Sequence, residues 1–202
     1  MRVCVYGASS TELEQKYIDA VYELGKEMAA RNMGLVFGGG AQGMMGAAAR
    51  GVRDGGGSII GVAPDFFDVD GVLFPDCTEF IYTKTMRERK QILEDSSDAF
   101  IITPGGFGTL DEFFEILTLK QLERHNKAIV VLNVAGYYDN LFDFVAQAMQ
   151  EHFIKEACKQ LYRLVDTPKE ALDYIESYKP EQLSIKKLKD IQDGMTYDYK
   201  GK

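Results

Sequence analysis

Ile101-Ile102-Thr103-Pro104-Gly105-Gly106-Phe107-Gly108-Thr109-Leu110-Asp111-Glu112-Phe113-Phe114-Glu115 joins an apolar run to an amphipathic one through a glycine turn. Ala99 to Ile102 reads as a buried strand, and Leu110, Phe113, Phe114 and Leu117 recur at helical spacing. Three positions of the turn lack a Cβ, so its backbone can approach a ligand closely and take up positive φ. The first N–H groups of the helix, expected to open at Thr109, have no intrahelical partner and suit a phosphate. Glu112 follows one turn later with a carboxylate. Thr109 and Glu112 also fit a capping box, Thr-x-x-Glu, which needs no ligand.

Working toward the N-terminus, Thr85-Met86-Arg87-Glu88-Arg89-Lys90-Gln91-Ile92-Leu93 opens a charged helix just before that strand. Arg87, Arg89 and Lys90 form its basic cluster. Such clusters usually mark a solvated face, but the glycine turn downstream gives this one a possible anion to hold. Glu79 to Tyr82 is a short strand, and Ala63 to Thr78, with Pro64 and Pro75, is an irregular surface loop. Cys77 within it has no activating motif. Ser58 to Val62 is a strand. Before it, Gly38-Gly39-Gly40-Ala41-Gln42-Gly43-Met44-Met45-Gly46 leads from the strand Leu35 to Phe37 into an alanine-rich helix, Ala47 to Asp54. Gly38, Gly40 and Gly43 fit Gly-x-Gly-x-x-Gly, yet on the second strand and with only Asp65 as acidic partner, so a phosphate- or ribose-facing loop is the better reading. Val3 to Tyr6 is the first strand, ending at Gly7. Ser9 and Ser10 sit in the loop beyond it as candidate ligand contacts. Thr11 and Glu14 match a capping box for a helix striped by Leu13, Tyr17, Val21, Leu24 and Met28, with Gly34 as its stop.

Toward the C-terminus, Ala128 to Val134 is a buried strand, and Asp139 begins a helix with Leu141, Phe142, Val145 and Met149 on one side. Tyr162 to Val165 is a last strand, and Pro168 opens a helix to about Tyr178. Alternation of strand and helix predicts one α/β domain, residues 1–179: a Rossmann-like, doubly wound parallel sheet with ligands at the strand C-termini. Residues 180–202 are polar and lysine-rich, a weakly ordered tail or a docking helix.

Composition narrows the function. The 202 residues carry a net charge of −8, which argues against general nucleic-acid binding. Three scattered cysteines suit a reducing cytoplasm, and with no apolar run near 18 residues a membrane span is not expected. No Gly-x-x-x-x-Gly-Lys-[Ser/Thr] loop or Gly-x-Ser-x-Gly elbow is present. His125 and His152 lack partners at ligand spacing and read as surface or helix-end residues rather than metal ligands. No metal or cofactor is expected.

Four motifs then occur together. Pro104 to Glu112 has the form Pro-Gly-Gly-x-Gly-Thr-x-x-Glu, Gly38 to Gly46 the form Gly-Gly-Gly-x-x-Gly-x-Met-Gly, and Met86 to Lys90 the form Met-x-x-Arg-Lys. Leu132-Asn133-Val134-Ala135-Gly136-Tyr137-Tyr138 is the fourth. Taken in chain order they resemble the LOG family of cytokinin riboside 5'-monophosphate phosphoribohydrolases, long labelled possible lysine decarboxylases. Thr118-Leu119 departs from the Thr-Trp of many relatives. The resemblance implies a Rossmann-like homodimer that splits adenosine-type 5'-monophosphates into free base and ribose 5-phosphate. By motif it assigns catalysis to Arg89 and Glu112, the phosphate cradle to Gly105, Gly106, Gly108 and Thr109, and the base to Met86. Ser9, Gly39, Gly40, Gly43 and Lys90 complete the expected substrate contacts. Two other classes compete: a non-catalytic nucleotide carrier, which has no need of a carboxylate beside a phosphate, and a pyridoxal-phosphate decarboxylase, which needs a Schiff-base lysine that no motif singles out.

Overall fold

The computed structural model describes residues 1–69 and 71–180, so the expected tail or docking helix lies outside the described residues but for Pro180. Seven strands form one parallel sheet: β1 (Arg2–Tyr6), β2 (Gly34–Phe37), β3 (Ile59–Pro64), β4 (Glu79–Thr83), β5 (Ala99–Ile102), β6 (Ala128–Leu132) and β7 (Arg163–Val165). Six helices connect and flank them: α1 (Gln15–Ala30), α2 (Gly43–Asp54), α3 (Met86–Asp95), α4 (Phe107–Gln121), α5 (Asp139–Gln150) and α6 (Pro168–Ser177).

The spatial order is β4-β3-β2-β1-β5-β6-β7. The chain moves outward from β1 to β4, then returns to the other side of β1 with β5. That reversal makes the carboxyl ends of β1 and β5 the topological switch point, where doubly wound sheets open a crevice. Register brings the two ends level, with Tyr6 beside Ile102, and the Ala8 N–H donates to the Pro104 carbonyl at 3.1 Å.

The period of two along each strand divides the core. Val3, Val5, Leu35, Phe37 and Ile101 face α1, α2 and α6, whereas Cys4, Tyr6, Val36, Phe100 and Ile102 face α3, α4 and α5. Both layers exclude water, which is why the central strands read as continuous apolar runs.

Several local expectations give way. Thr11 and Glu14 form no box: α1 starts at Gln15, Glu14 makes no side-chain cap, and its carboxylate pairs with Lys16 at 2.9 Å. Gly34 does not stop α1 but begins β2, and the reversal uses Asn32 at φ 56°. α2 begins at Gly43, ahead of the alanine run. The segment after β3 is more built than a surface loop. It contains a 3-10 turn at Asp65–Phe67, Leu73 bridges to Gly40, and Phe74 is buried edge-on against Phe37. His125 is half-buried rather than freely exposed. Its ring lies 2.8 Å from the Ile116 carbonyl, and burial pushes its pKa down to about 4. His152 does sit at a helix end, just past α5, at φ 66°. Capping boxes form instead at Thr85–Glu88 and Thr167–Glu170, opening α3 and α6.

Candidate functional site

The glycine turn sits on the switch point. α4 opens two residues ahead of the expected start at Thr109, with Gly106 as N-cap and Phe107, 94% exposed, as its first residue. Thr109 is therefore the third helical residue and Glu112 the sixth, so the capping-box reading of this pair fails. Thr109 is buried, with its hydroxyl folded under the turn against Gly105. The N–H groups of Phe107, Gly108 and Thr109 lie in the first turn, without intrahelical acceptors and at the positive end of the helix dipole.

Glu112 points instead at α3. Its Oε1 accepts from Arg89 Nη1 at 2.7 Å, and the two side chains are only 11% and 7% exposed. Arg89 Nε donates to the Val62 carbonyl, within β3, at 3.1 Å. The guanidinium thus ties β3, α3 and α4 together under the crevice. Burial raises the Glu112 pKa, and the adjoining Arg89 charge opposes that rise. The nearby Tyr6 hydroxyl is held well above its usual pKa by burial, and the Cys4 thiol is pushed up to about 12 for the same reason. Neither supplies an ionised group near neutral pH.

Gly38, at the end of β2, explains how the arginine fits. A Cβ there would collide with Arg89 Nη2, so the missing side chain is the seat of the guanidinium. Gly43 has φ +58°, and a Cβ on it would strike the Ala8 carbonyl. The Gly38–Gly46 loop is therefore pressed against both the arginine and the β1 loop, and the Met44 N–H donates to Ala8 O at 2.8 Å. Gly39 is buried, Gly40 half-buried, and Ser9 exposed on the neighbouring loop.

The basic cluster comes apart. Arg89 is buried, Arg87 exposed, and Lys90 spans α3 and α4 with its ammonium 2.6 Å from Glu115 and 3.1 Å from Asp111. Met86, 41% exposed, stands at the start of α3. Sequence reading missed the Val62 carbonyl, for which no side-chain signal exists. It also assigned no role to Tyr137 and Tyr138, although both lie in a stretch quoted for its family likeness. Their hydroxyls donate to the Gly105 and Thr103 carbonyls, each at 2.8 Å.

Residues 45–175 match a family model described as "Possible lysine decarboxylase". The probable cytokinin riboside 5'-monophosphate phosphoribohydrolase LOGL2 of Oryza sativa subsp. japonica is 39% identical over 197 residues, spanning 97% of this chain and 81% of that protein. The chain belongs to the LOG family. A second relative, cytokinin riboside 5'-monophosphate phosphoribohydrolase LOG4 of Arabidopsis thaliana, is 39% identical over 184 residues, with 91% of this chain and 86% of that one covered. Among solved structures, the molybdenum cofactor carrier protein of Chlamydomonas reinhardtii superposes with a TM-score of 0.65 at 22% identity, over 87% of this chain and 95% of that one. The molybdenum cofactor binding protein of Rippkaea orientalis gives the same score and identity, over 87% and 94%. At that identity the likeness is one of fold, and it places the LOG family chain among proteins with this sheet.

Proposed function

We propose that the protein hydrolyses the N-glycosidic bond of adenosine-type 5'-monophosphates, a cytokinin riboside 5'-monophosphate, AMP or both, to free base and ribose 5-phosphate. The observation that carries this reading is the buried Arg89–Glu112 pair, 2.7 Å apart beneath a helix N-terminus at the switch point. The names of the relatives point the same way. In this reading the 5'-phosphate rests on the N–H groups of Gly106, Phe107, Gly108 and Thr109. The ribose then lies over Glu112, with Met86 toward the base and Ser9, Gly39, Gly40 and Gly43 on the opposite wall. Lys90 steadies α3 against α4 at the rim.

The chemistry follows from charge. As the bond from C1' to the base nitrogen breaks, its electron pair leaves with the base and the ribose acquires oxocarbenium character. The Glu112 carboxylate stabilises that positive charge and orients the water that bonds to C1', and the water's proton ends on the base. Arg89 keeps Glu112 ionised and aimed despite its burial. Its Nη2, beside Gly38, is turned to the substrate, either to the phosphate or to the departing base. A carrier of the intact nucleotide has no use for this carboxylate. For a pyridoxal-phosphate decarboxylase a lysine would have to be free in the crevice; among the described residues the buried lysine, Lys120, lies near the far end of α4, and Lys90 at the rim is held by Glu115 and Asp111.

The test is to incubate purified protein with AMP, with an N6-substituted AMP and with adenosine, and to follow free base. Release from a monophosphate and not from the nucleoside is expected. Equal turnover of AMP and adenosine would sink the reading.

The working unit is proposed to be a homodimer in the cytoplasm, the compartment that suits three free cysteines. α5 leaves its apolar side, Leu141, Phe142, Val145 and Met149, only half-buried within the chain. A cavity of 470 Å³ opens between α4, α5 and the Glu156–Leu161 turn, and Phe144 and Phe153 stand 65% and 82% exposed nearby. A second copy on this face would cover it. Light scattering should return twice the chain mass at micromolar concentration. A monomer mass would contradict the dimer.

A further inference from the structure

We propose that Tyr137 is a positioning residue for phosphate capture: its hydroxyl fixes the Gly105–Gly106 peptide so that the Gly106 N–H faces the crevice. This inference rests on the phosphate role proposed above for the turn and adds a residue to it.

The need for such a device comes from the sequence. A Gly-Gly peptide has no side chain on either flank to hinder rotation, so its plane flips more readily than any other. A cradle built from that peptide points its amide at an anion for only part of the time unless something else holds the plane. The plane is held in this structure by the residues after β6. Tyr137 Oη donates to the Gly105 carbonyl at 2.8 Å. In a trans peptide the C=O and the next N–H are antiparallel, so holding the Gly105 carbonyl toward Tyr137 aims the Gly106 N–H the opposite way.

The tyrosine is itself fixed from several sides. Its ring makes edge contacts with Tyr17 of α1 and with Tyr138, at centroid distances of 5.9 and 4.9 Å. The tight turn before it uses Ala135 and Gly136 at φ 52° and 71°. Asn133 braces that turn: its Oδ1 accepts from the Tyr138 N–H at 2.7 Å, and its Nδ2 donates to Asp139 at 2.7 Å. Tyr138, buried, holds the residue that enters the turn by donating to the Thr103 carbonyl. The Pro104 carbonyl between them accepts from Ala8. Three successive carbonyls are thus anchored, and among the described residues it is the Tyr137 hydroxyl that bonds the peptide between the two glycines.

Tyr137→Phe deletes this hydroxyl at a position 45% exposed, where folding is not at stake. The experiment compares wild type and variant for kcat and KM on AMP, for inhibition by ribose 5-phosphate, which carries the phosphate without a base, and for inhibition by adenine, which carries the base without a phosphate. The variant should show KM and the ribose 5-phosphate inhibition constant raised about tenfold. Its kcat should stay within about twofold and its adenine inhibition should be unchanged. Unchanged ribose 5-phosphate inhibition in the variant overturns the positioning role while leaving the phosphate reading intact. So does a parallel loss of adenine binding, which signals general damage. If wild type itself is indifferent to ribose 5-phosphate, the phosphate reading fails and this inference falls with it.

Discussion

Helix α4 carries one buried ionisable group near each end, and the two have opposite fates. Near the amino end Glu112 is 11% exposed and meets Arg89 at 2.7 Å. Near the carboxyl end Lys120 is 3% exposed, and its ammonium has no hydrogen-bond partner among the described residues, only the face of the Tyr178 ring at 4.8 Å. Eight residues, roughly 12 Å of helix, separate them. Desolvation acts on both. At Glu112 a neighbouring positive charge works against it. At Lys120 no opposite charge does, and burial lowers the pKa from 10.5 to about 8. One end of the helix therefore holds its charge in place, and the other comes close to giving its charge up. A charge that is buried and also held is what a charged transition state requires.

The harshest way to break the contrast is to make Glu112 resemble Lys120. Arg89→Met leaves the carboxylate buried and alone, which should cost about 3–5 kcal/mol of stability and remove turnover. Denaturant unfolding and base release measure the two losses. Normal stability in this variant would mean that the pair is solvated in solution and the contrast is false.

The opposite change, Lys120→Met, should stabilise the protein by about 1–3 kcal/mol at pH 7 without affecting turnover. The sign of its pH dependence is fixed. Because the folded-state pKa lies below the unfolded one, the unfolded chain binds more protons between pH 8 and about 10.5, and wild-type stability contributed by this group rises with pH across that window. The advantage of Lys120→Met should be full below pH 8 and fade toward pH 10.5. Melting curves at pH 7 and pH 10 decide it, and a destabilised variant would show that the contact with Tyr178 outweighs desolvation.

Gly38→Ala pushes on Arg89 without touching either charge. Displacing the guanidinium should cost about 1–3 kcal/mol and lower turnover at least about tenfold. The smallest effect belongs to Thr85→Ala, which uncaps α3, the helix that carries Arg89. A loss of about 1 kcal/mol is expected, with kcat unchanged, because the buried pair and the Val62 contact fix the arginine independently of the cap. A matching fall in kcat would show that the cap sets the catalytic geometry.

What the sequence revealed follows the range of each interaction. All seven strands were legible: β1, β2, β3, β5 and β6 as apolar runs, β4 and β7 as short β-rich stretches at the sheet edges, and strand–helix alternation implied their parallel arrangement. The glycine turns were placed on one edge for the same reason. The order of the sheet was not legible, since nothing in the chain says that β5 returns beside β1. Nor was the start of α4, because the apolar spacing begins at Leu110 while the first helical residue is the exposed Phe107. The false capping box at Thr109 came from that shift. The motifs mark Arg89 and Glu112 for the same chemistry, but the two stand 23 positions apart in the chain and only the fold makes them an ion pair. Lys120 left a signal that went unread: it continues the Phe113, Ile116 spacing onto the buried face.

The Glu112 charge, and not merely its place in the helix, should drive bond cleavage. Single-turnover release of base from AMP by Glu112→Gln, run beside its melting curve, tests this most directly. The amide can still accept from Arg89 Nη1, so the variant should fold with a loss of about 1–3 kcal/mol and retain ribose 5-phosphate binding. Base release should fall by roughly two orders of magnitude or more. A folded variant that releases base at a near wild-type rate would reduce the Arg89–Glu112 pair to a strut between α3 and α4.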